Sequence, residues 1–249
     1  MIDIHAHILP GIDDGAEDLD SALEMAALAA KSGVSVLAVT PHCVEYARQK
    51  NLWDRDLQQQ IRQFREAVEQ AGIPLQIVPG MEIFGTQRVP ELLREGKMIG
   101  LNGSRYPLIE FSFYHFGAQA TDILEEILTL GMRPVVAHPE RYDYVQHDPA
   151  ILNLWVQMGC LLQINKGSLL GRFGPVEERL ALELVDRGFA FAVASDAHSP
   201  HMRTTWMKDV RDLLRQVFSE EAAAALLERN PRKLINNENI HREDPYWFR

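Results

Sequence analysis

Five of the nine histidines in this chain stand at the ends of short apolar runs, each beside or near a carboxylate. The runs read Ile2-Asp3-Ile4-His5-Ala6-His7, Ala38-Val39-Thr40-Pro41-His42, Val135-Val136-Ala137-His138 and Ala192-Val193-Ala194-Ser195-Asp196-Ala197-His198. Neutral imidazole nitrogen suits Mn, Fe or Zn, and added carboxylates shift a site towards harder, hydrolytic metals. Side chains alternate along a strand, so His5 and His7 leave theirs on the same side. Taken alone, that pair serves packing as readily as ligation. The other run ends change the balance. Glu82 follows Ile77-Val78-Pro79-Gly80-Met81, Glu110 interrupts Leu108-Ile109-Phe111, and Asp196 with His198 repeats the spaced pair.

A carboxylate among apolar neighbours is costly to bury unless a cation compensates it, so Glu110 calls for a metal or an arginine. Asp13-Asp14-Gly15 has the composition of a turn. In this company Asp14 is read as a ligand and Asp13 as its solvated neighbour. His5, His7, Asp14, His42, Glu82, Glu110, His138, Asp196 and His198 are more donors than one ion accepts with a position left for water, so two or three divalent ions are implied. With Glu82 as the bridge, ions about 3.5–4 Å apart could share a hydroxide that attacks in line while the leaving group's oxygens are neutralised. The chemistry is metal-assisted hydrolysis, and a phosphate ester suits the motif and the nearby arginines best.

Donors so far apart in sequence meet only if the strands that carry them end on one face, as in a parallel βα architecture. Apolar runs at 2–4, 34–39, 75–78, 108–113, 134–137, 160–164 and 189–194 give seven candidate strands. Between them, Leu57, Ile61, Phe64, Val68 and Ala71 lay one apolar stripe on a helix that Gly72 and Pro74 end. Further helices are expected over 19–31, 121–130, 151–158, 176–187 and 204–218, several followed by a glycine. This alternation favours an α/β fold whose parallel sheet closes into a barrel over an open doubly wound sheet. The 249 residues are read as one domain, with 238–249 as a tail or a packed extension.

The net charge of -10 argues against generic binding to a nucleic-acid backbone, which depends on clustered Lys and Arg. Two cysteines are too few for a disulfide framework, and neither a signal peptide nor an apolar run of membrane-spanning length is present. A cytoplasmic protein that is not membrane-embedded is expected. A thiol-based phosphatase needs an arginine six positions after its nucleophilic cysteine. Cys43 is followed there by Gln49 and Cys160 by Lys166.

The motifs His5-Ala6-His7, Asp13-Asp14-Gly15, Thr40-Pro41-His42, Glu82, His138-Pro139-Glu140-Arg141-Tyr142 and Ser195-Asp196-Ala197-His198 resemble the polymerase and histidinol phosphatase (PHP) superfamily. With Leu9-Pro10-Gly11-Ile12 and Leu162-Gln163-Ile164-Asn165 added, the chain is similar from end to end to the bacterial capsule and exopolysaccharide tyrosine phosphatases. That resemblance implies a distorted seven-stranded, TIM-like (β/α) barrel and a trinuclear site usually described with manganese, Fe or Zn being alternatives. It also implies dephosphorylation of the tyrosine-rich tail of a kinase controlling polysaccharide export. Carried over by position, His5, His7, Glu82 and Asp196 would hold one ion, Glu82, Glu110 and His138 a second, and Asp14, His42 and His198 a third. Glu82 and His42 are thereby also counted as catalytic. Arg141 and Arg203 would grip the phosphoryl oxygens with their guanidinium forks. For Arg203, at an expected helix start, a surface charge is the other reading.

The glycine-rich stretch 165–174 is either a mobile substrate loop or an ordinary βα connection. His115, His147, His201 and His241 are expected at the surface or in packing. The competing functions are a small-molecule phosphomonoesterase of the histidinol-phosphatase type, which would use the same metals, and a non-catalytic metal-binding regulatory module.

Overall fold

The computed structural model describes residues 1–44, 51–114, 117–241 and 243–248. His115 lies outside the described residues. The apolar runs form nine strands among those described: β1 (Ile2–Ala6), β2 (Val36–Val39), β3 (His42–Cys43), β4 (Gln76–Pro79), β5 (Glu82–Phe84), β6 (Leu108–Glu110), β7 (Val135–Ala137), β8 (Leu161–Asn165) and β9 (Ala190–Ala194). Every pairing is parallel, with β1-β2-β4 in one sheet and β3-β5-β6-β7-β8-β9 in the other.

Each of the seven expected runs contains a strand, and two short strands that were not expected, β3 and β5, follow β2 and β4 after a break. Thr40 and Pro41 separate β2 from β3, and Gly80 and Met81 separate β4 from β5. Proline has no N–H to give a ladder. At the first break the Thr40 N–H turns to Ala6 O (3.0 Å), while the Pro41 carbonyl accepts from the Glu82 N–H (3.1 Å). The seven strands therefore do not make one continuous ladder, and they divide between two sheets. The ends of β1 and β9 meet at an Ala6–Ala197 bridge. The His7 N–H donates to Ala197 O (2.8 Å) and the Asp196 N–H to His5 O (2.9 Å). Buried Asp3 adds a side-chain tie, its Oδ1 accepting from the Ser195 N–H at 3.0 Å.

The helices follow their sequence signals closely. Asp54 caps the helix Arg55–Gln70 by accepting from the Asp56 and Leu57 N–H groups, and Leu57, Ile61, Phe64 and Val68 are its buried stripe. Burying each such side chain contributes roughly 1.5–3 kcal/mol. Ala71 stays outside the helix and exposed, because the chain turns at Gly72 with φ 65°.

The helix expected from 204 begins only at Lys208. The carbonyls of Thr204 and Trp206 accept from the buried Lys166 ammonium instead, and the Thr205 hydroxyl donates to Met25 O. Arg203 is thus not at a helix start. Its carbonyl accepts from the His198 N–H (2.8 Å), which folds the segment back over the strand ends.

The 165–174 stretch opens as a short buried helix, Lys166–Leu169, capped by Asn165 and tied by the Ser168 hydroxyl to Glu140 (2.7 Å). The C-terminal segment is a packed extension. Phe248 lies 4.9 Å from the Phe189 ring and pairs its N–H and C=O with the Asn153 amide. His147, His201 and His241 are exposed, as expected. Among the described residues, no helix is long and apolar enough to cross a membrane.

Burial draws the Lys166 ammonium down to about 8 from 10.5. Between those values the unfolded chain holds a proton that the folded chain has released, so this contribution to stability rises with pH. Lys166→Met removes it. In denaturant titrations, wild type should gain on Lys166→Met as the pH is raised from 8 to 10; a difference that does not change with pH would show that the ammonium is not buried in this way.

Candidate metal centre

Glu82 opens β5 and stands among four imidazoles. Its Oε1 lies 3.1 Å from His5 Nε2 and 3.0 Å from His138 Nε2, and its Oε2 lies 3.1 Å from His7 Nε2 and 2.9 Å from His42 Nδ1. His5 and His7 come from the end of β1, His42 opens the short β3 and His138 follows β7, so the imidazoles meet at the common edge that parallel strands create. Asp196 follows β9 and presents Oδ1 to His5, His7 and His198 at 3.5–3.6 Å. Both His138 (φ 32°) and Asp196 (φ 48°) adopt left-handed backbone at their strand ends. Such strain costs of order 1–3 kcal/mol and is held only by its surroundings. Here the His138 N–H donates to Gln163 O at 2.7 Å and the Asp196 N–H to His5 O.

Asp14 comes from the loop after β1. Gly15 makes this possible, because a Cβ there would lie 2.0 Å from His7 O, so only glycine lets the turn press on the strand end. Asp14 Oδ1 then reaches His42 Nε2 (3.3 Å) and His198 Nε2 (3.5 Å) at the solvent-facing side.

All nine expected donors converge. Their atoms fall into four overlapping groups with members within 4.8 Å of one another: His7, Asp14, His42 and His198; His5, His7 and Asp196; His5, Glu82 and His138; and His42, Glu82 and Glu110. Compared with the expected partition, His7 joins the Asp14 group, and Glu110 sits with His42 and Glu82 while standing 3.6 Å from His138 Nε2.

The donor set fits divalent cations. His5 Nδ1 is 2.9 Å from Gln163 Oε1 and His7 Nδ1 is 2.9 Å from Asp13 Oδ2, so both rings donate from Nδ1. Their Nε2 atoms are the ones turned into the cluster, 3.2 Å apart. Atoms bound to one ion at about 2.0–2.2 Å stand about 3–3.5 Å apart, which is the spacing observed. His198 Nδ1 likewise faces a backbone carbonyl, Asp196 O (3.1 Å), leaving Nε2 towards Asp14.

The electrostatics agree. Burial and the neighbouring Glu82 carboxylate push Glu110 up to about 8. Burial pulls His138 down to about 4 and, together with His7, pulls His198 down to about 3. Burial also opposes charge on His42, but Asp14 and Glu82 outweigh it and raise the ring to about 10. Protons at His42 and Glu110 thus occupy places where a cation would satisfy the same carboxylates.

The expected arginines both reach the cluster. Arg141 Nη1 is 3.2 Å from Asp196 Oδ2, and Arg203 and the Asn165 amide hydrogen-bond the same oxygen. Arg203 is therefore not a free surface charge. Arg141 also lies between two rings, 4.7 Å from Phe113 and 4.4 Å from Phe173, within cation–π range.

Sequence reasoning missed the shell behind these groups. Asp13 is not solvated: its side chain is 4% exposed, and it accepts from His7 Nδ1, the His42 N–H (3.0 Å) and the Gly15 N–H (3.0 Å). Buried Glu140 accepts from the Asn165 N–H (2.9 Å) and from Ser168, joining the Arg141 turn to the start of the 165–174 stretch. Gln163 could have been found from strand alternation, since it points to the same side of its strand as Asn165.

A family model described as capsular polysaccharide synthesis, CpsB/CapC, matches residues 1–236. The tyrosine-protein phosphatase YwqE of Bacillus subtilis (strain 168) is 34% identical over 98% of this chain and 95% of its own length. The tyrosine-protein phosphatase CpsB of Streptococcus pneumoniae is 32% identical over 96% of this chain and all of its own length. A crystal structure from a study of YwqE and CpsB as metal-dependent tyrosine phosphatases superposes with a TM-score of 0.93, covering 100% of both chains at 34% identity. A lactonase from Listeria monocytogenes, 15% identical and covering 96% of this chain and 95% of its own, shares the fold with a TM-score of 0.58.

Two outcomes test the cluster. Asp13→Asn should weaken manganese binding about 10–100-fold, the usual cost of losing a carboxylate behind a ligating imidazole; unchanged affinity in a calorimetric titration would remove Asp13 from that role. Because His42 and Glu110 hold protons at pH 7 that a cation must displace, manganese binding should release protons and tighten as pH rises from 6 to 8. The binding heat would then vary with the ionisation enthalpy of the buffer, and a buffer-independent heat would contradict the assignment.

Proposed function

Since the chain belongs to the CpsB/CapC capsular polysaccharide synthesis family, we propose that it is a metal-dependent protein-tyrosine phosphatase whose substrate is the phosphotyrosine-bearing tail of a kinase controlling polysaccharide export. The observation that carries this reading is the meeting of nine oxygen and nitrogen donor residues, Glu82 among them, with two arginines on Asp196. The relatives that match along almost the whole chain carry the same activity in their names.

In this reading the protein is one domain over 1–249, and its two sheets are the parts of a distorted seven-stranded, TIM-like barrel. The sequence order of the strands and the contact between β1 and β9 support that description. Two or three divalent ions, manganese first among them, would be held by His5, His7, Glu82 and Asp196, by Glu82, Glu110 and His138, and by Asp14, His42 and His198. When bound, such ions polarise phosphoryl oxygens and acidify water.

The chain's own contribution is geometric and electrostatic. Glu82 directs one oxygen to His5 and His138 and the other to His7 and His42, so its carboxylate could serve more than one ion. Arg141 and Arg203 stand on the far oxygen of Asp196 and direct their remaining N–H groups to the phosphoryl oxygens. Held before substrate arrives, they need little reorganisation to stabilise charge that develops there. His42 and Asp14 lie at the more open side, where the ester enters. A thiol nucleophile has no place in this scheme. Cys43 and Cys160 are buried, and burial pushes the Cys160 thiol up to about 12. A cytoplasmic setting, where thiols stay reduced, suits both.

The test is turnover by metal-stripped protein resupplied with manganese, on a phosphotyrosyl peptide and on histidinol phosphate. Preference for the peptide, loss with chelator and indifference to thiol alkylation are expected. Preference for histidinol phosphate would move the function to small-molecule metabolism, and no turnover of either would leave a binding module. Glu82→Gln should abolish activity, and Arg141→Lys should lower kcat by about 10²-fold with manganese content unchanged. Normal kcat in Arg141→Lys would remove the clamp.

A further inference from the structure

Beside the metal-ligand cluster, the segment after β8 encloses a cavity of about 460 Å³ whose lining includes Asn165, Gly167, Phe173, Met202 and Arg203. It continues directly from the site already described, because Asn165 and Arg203 both hydrogen-bond Asp196 Oδ2. The Phe173 ring is seated against bare backbone. A Cβ on Gly167 would lie 2.6 Å from its Cε2, so any other residue there would displace the ring. The guanidinium carbons of Arg141 and Arg203 stand 4.4 Å and 5.8 Å from the ring centre. Met202 lines the same cavity and is 81% exposed, an unusual position for a large apolar side chain. A cavity whose surface is mainly apolar, with polar residues that include Lys166, Arg172 and Ser195 in its lining, has the form of a small-molecule pocket.

We propose that this cavity receives the aryl ring of the substrate ester, with Phe173 as its inner wall and Met202 at its mouth, and that it selects aryl over alkyl phosphates. The proposal rests on the phosphotyrosine reading above and names the residues that give that site its preference. An ester whose phosphoryl group meets Arg141 and Arg203 extends its alcohol portion along the arginine that the cavity shares. A phenyl ring fills apolar space there and contacts Phe173 and the Met202 thioether, both favourable partners for an aromatic ring. A flexible, hydroxylated or charged alcohol leaves that surface exposed to water or strands a polar group against it.

Phe173 also steadies two arginines, so loss of activity alone would not distinguish a wall from a support. The test therefore compares esters. The full chain with manganese is assayed on a phosphotyrosyl peptide and on the same peptide bearing phosphoserine, for wild type, Phe173→Leu and Phe173→Tyr, with metal content measured in each. Phe173→Leu is expected to lower kcat/KM for the phosphotyrosyl peptide about 10-fold more than for the phosphoserine peptide, chiefly through KM. Phe173→Tyr, which keeps the ring, should restore the preference. An equal loss on both peptides in Phe173→Leu, with wild type still preferring phosphotyrosine, would overturn the aryl pocket and leave the phosphatase reading standing. A wild-type protein that turned over neither peptide would overturn both.

Discussion

The arrangement of the whole site depends on the carboxylate of Asp196. One of its oxygens faces His5, His7 and His198, and the other accepts from Arg141, Arg203 and Asn165. A buried carboxylate satisfied on both oxygens is held rigidly, and its side chain is only 2% exposed. Because the same group touches the imidazoles and the guanidiniums, the spacing between those two sets of side chains is fixed by one planar carboxylate. Its backbone adopts φ 48° so that the carboxylate can turn inward while the N–H reaches His5 O, which ties the β9 end to the β1 end. The strain is thus coupled to the contact that joins the first strand to the last.

Around that junction the protein has collected more like charge than a folded chain ordinarily tolerates. Glu82, Glu110 and Asp196 share one small volume with five imidazoles, and the pressure is visible as Glu110 held up to about 8 by burial and by Glu82. A divalent ion relieves it by giving the carboxylates and the imidazole lone pairs a common partner. Binding free energy at such a site is also folding free energy, since the unfolded chain has no comparable cluster. The groups behind the donors then decide which lone pairs face inward. Asp13 and Gln163 take the Nδ1 protons of His7 and His5, and the Asp196 carbonyl faces Nδ1 of His198.

Much of this was legible in the chain itself. Apolar runs ending in His or a carboxylate pointed to most of the residues whose donor atoms the fold brings together, Asp14 being read instead from an Asp-Gly turn, and the parallel βα alternation explained why they meet. What escaped was set by contacts that no periodicity records. Asp13 looked like the outer residue of a turn, and only the packing of Gly15 on His7 shows that Asp13 faces inward while Asp14 faces solvent. The break between β2 and β3 follows from the hydrogen bonds of Thr40 and Pro41, to Ala6 O and from the Glu82 N–H, and not from hydrophobicity. The helix expected at Thr204 failed to start because a buried lysine forty residues earlier in the chain claims the carbonyls of Thr204 and Trp206.

That lysine shows how the supporting structure and the site are joined. Lys166 follows Asn165, which bonds Asp196, and its ammonium fixes the segment that carries Arg203. On the other side Glu140 precedes Arg141 and binds both the Asn165 N–H and the Ser168 hydroxyl. The two arginines therefore belong to different parts of the chain but are anchored to one short stretch, 165–168, at the end of β8. A charged pair positioned through a single rigid element keeps its spacing even when the surrounding surface moves, and spacing is what a phosphoryl group with three oxygens would read. Phe173, six residues after Gly167 and stacked on both guanidiniums, closes the same stretch back onto them.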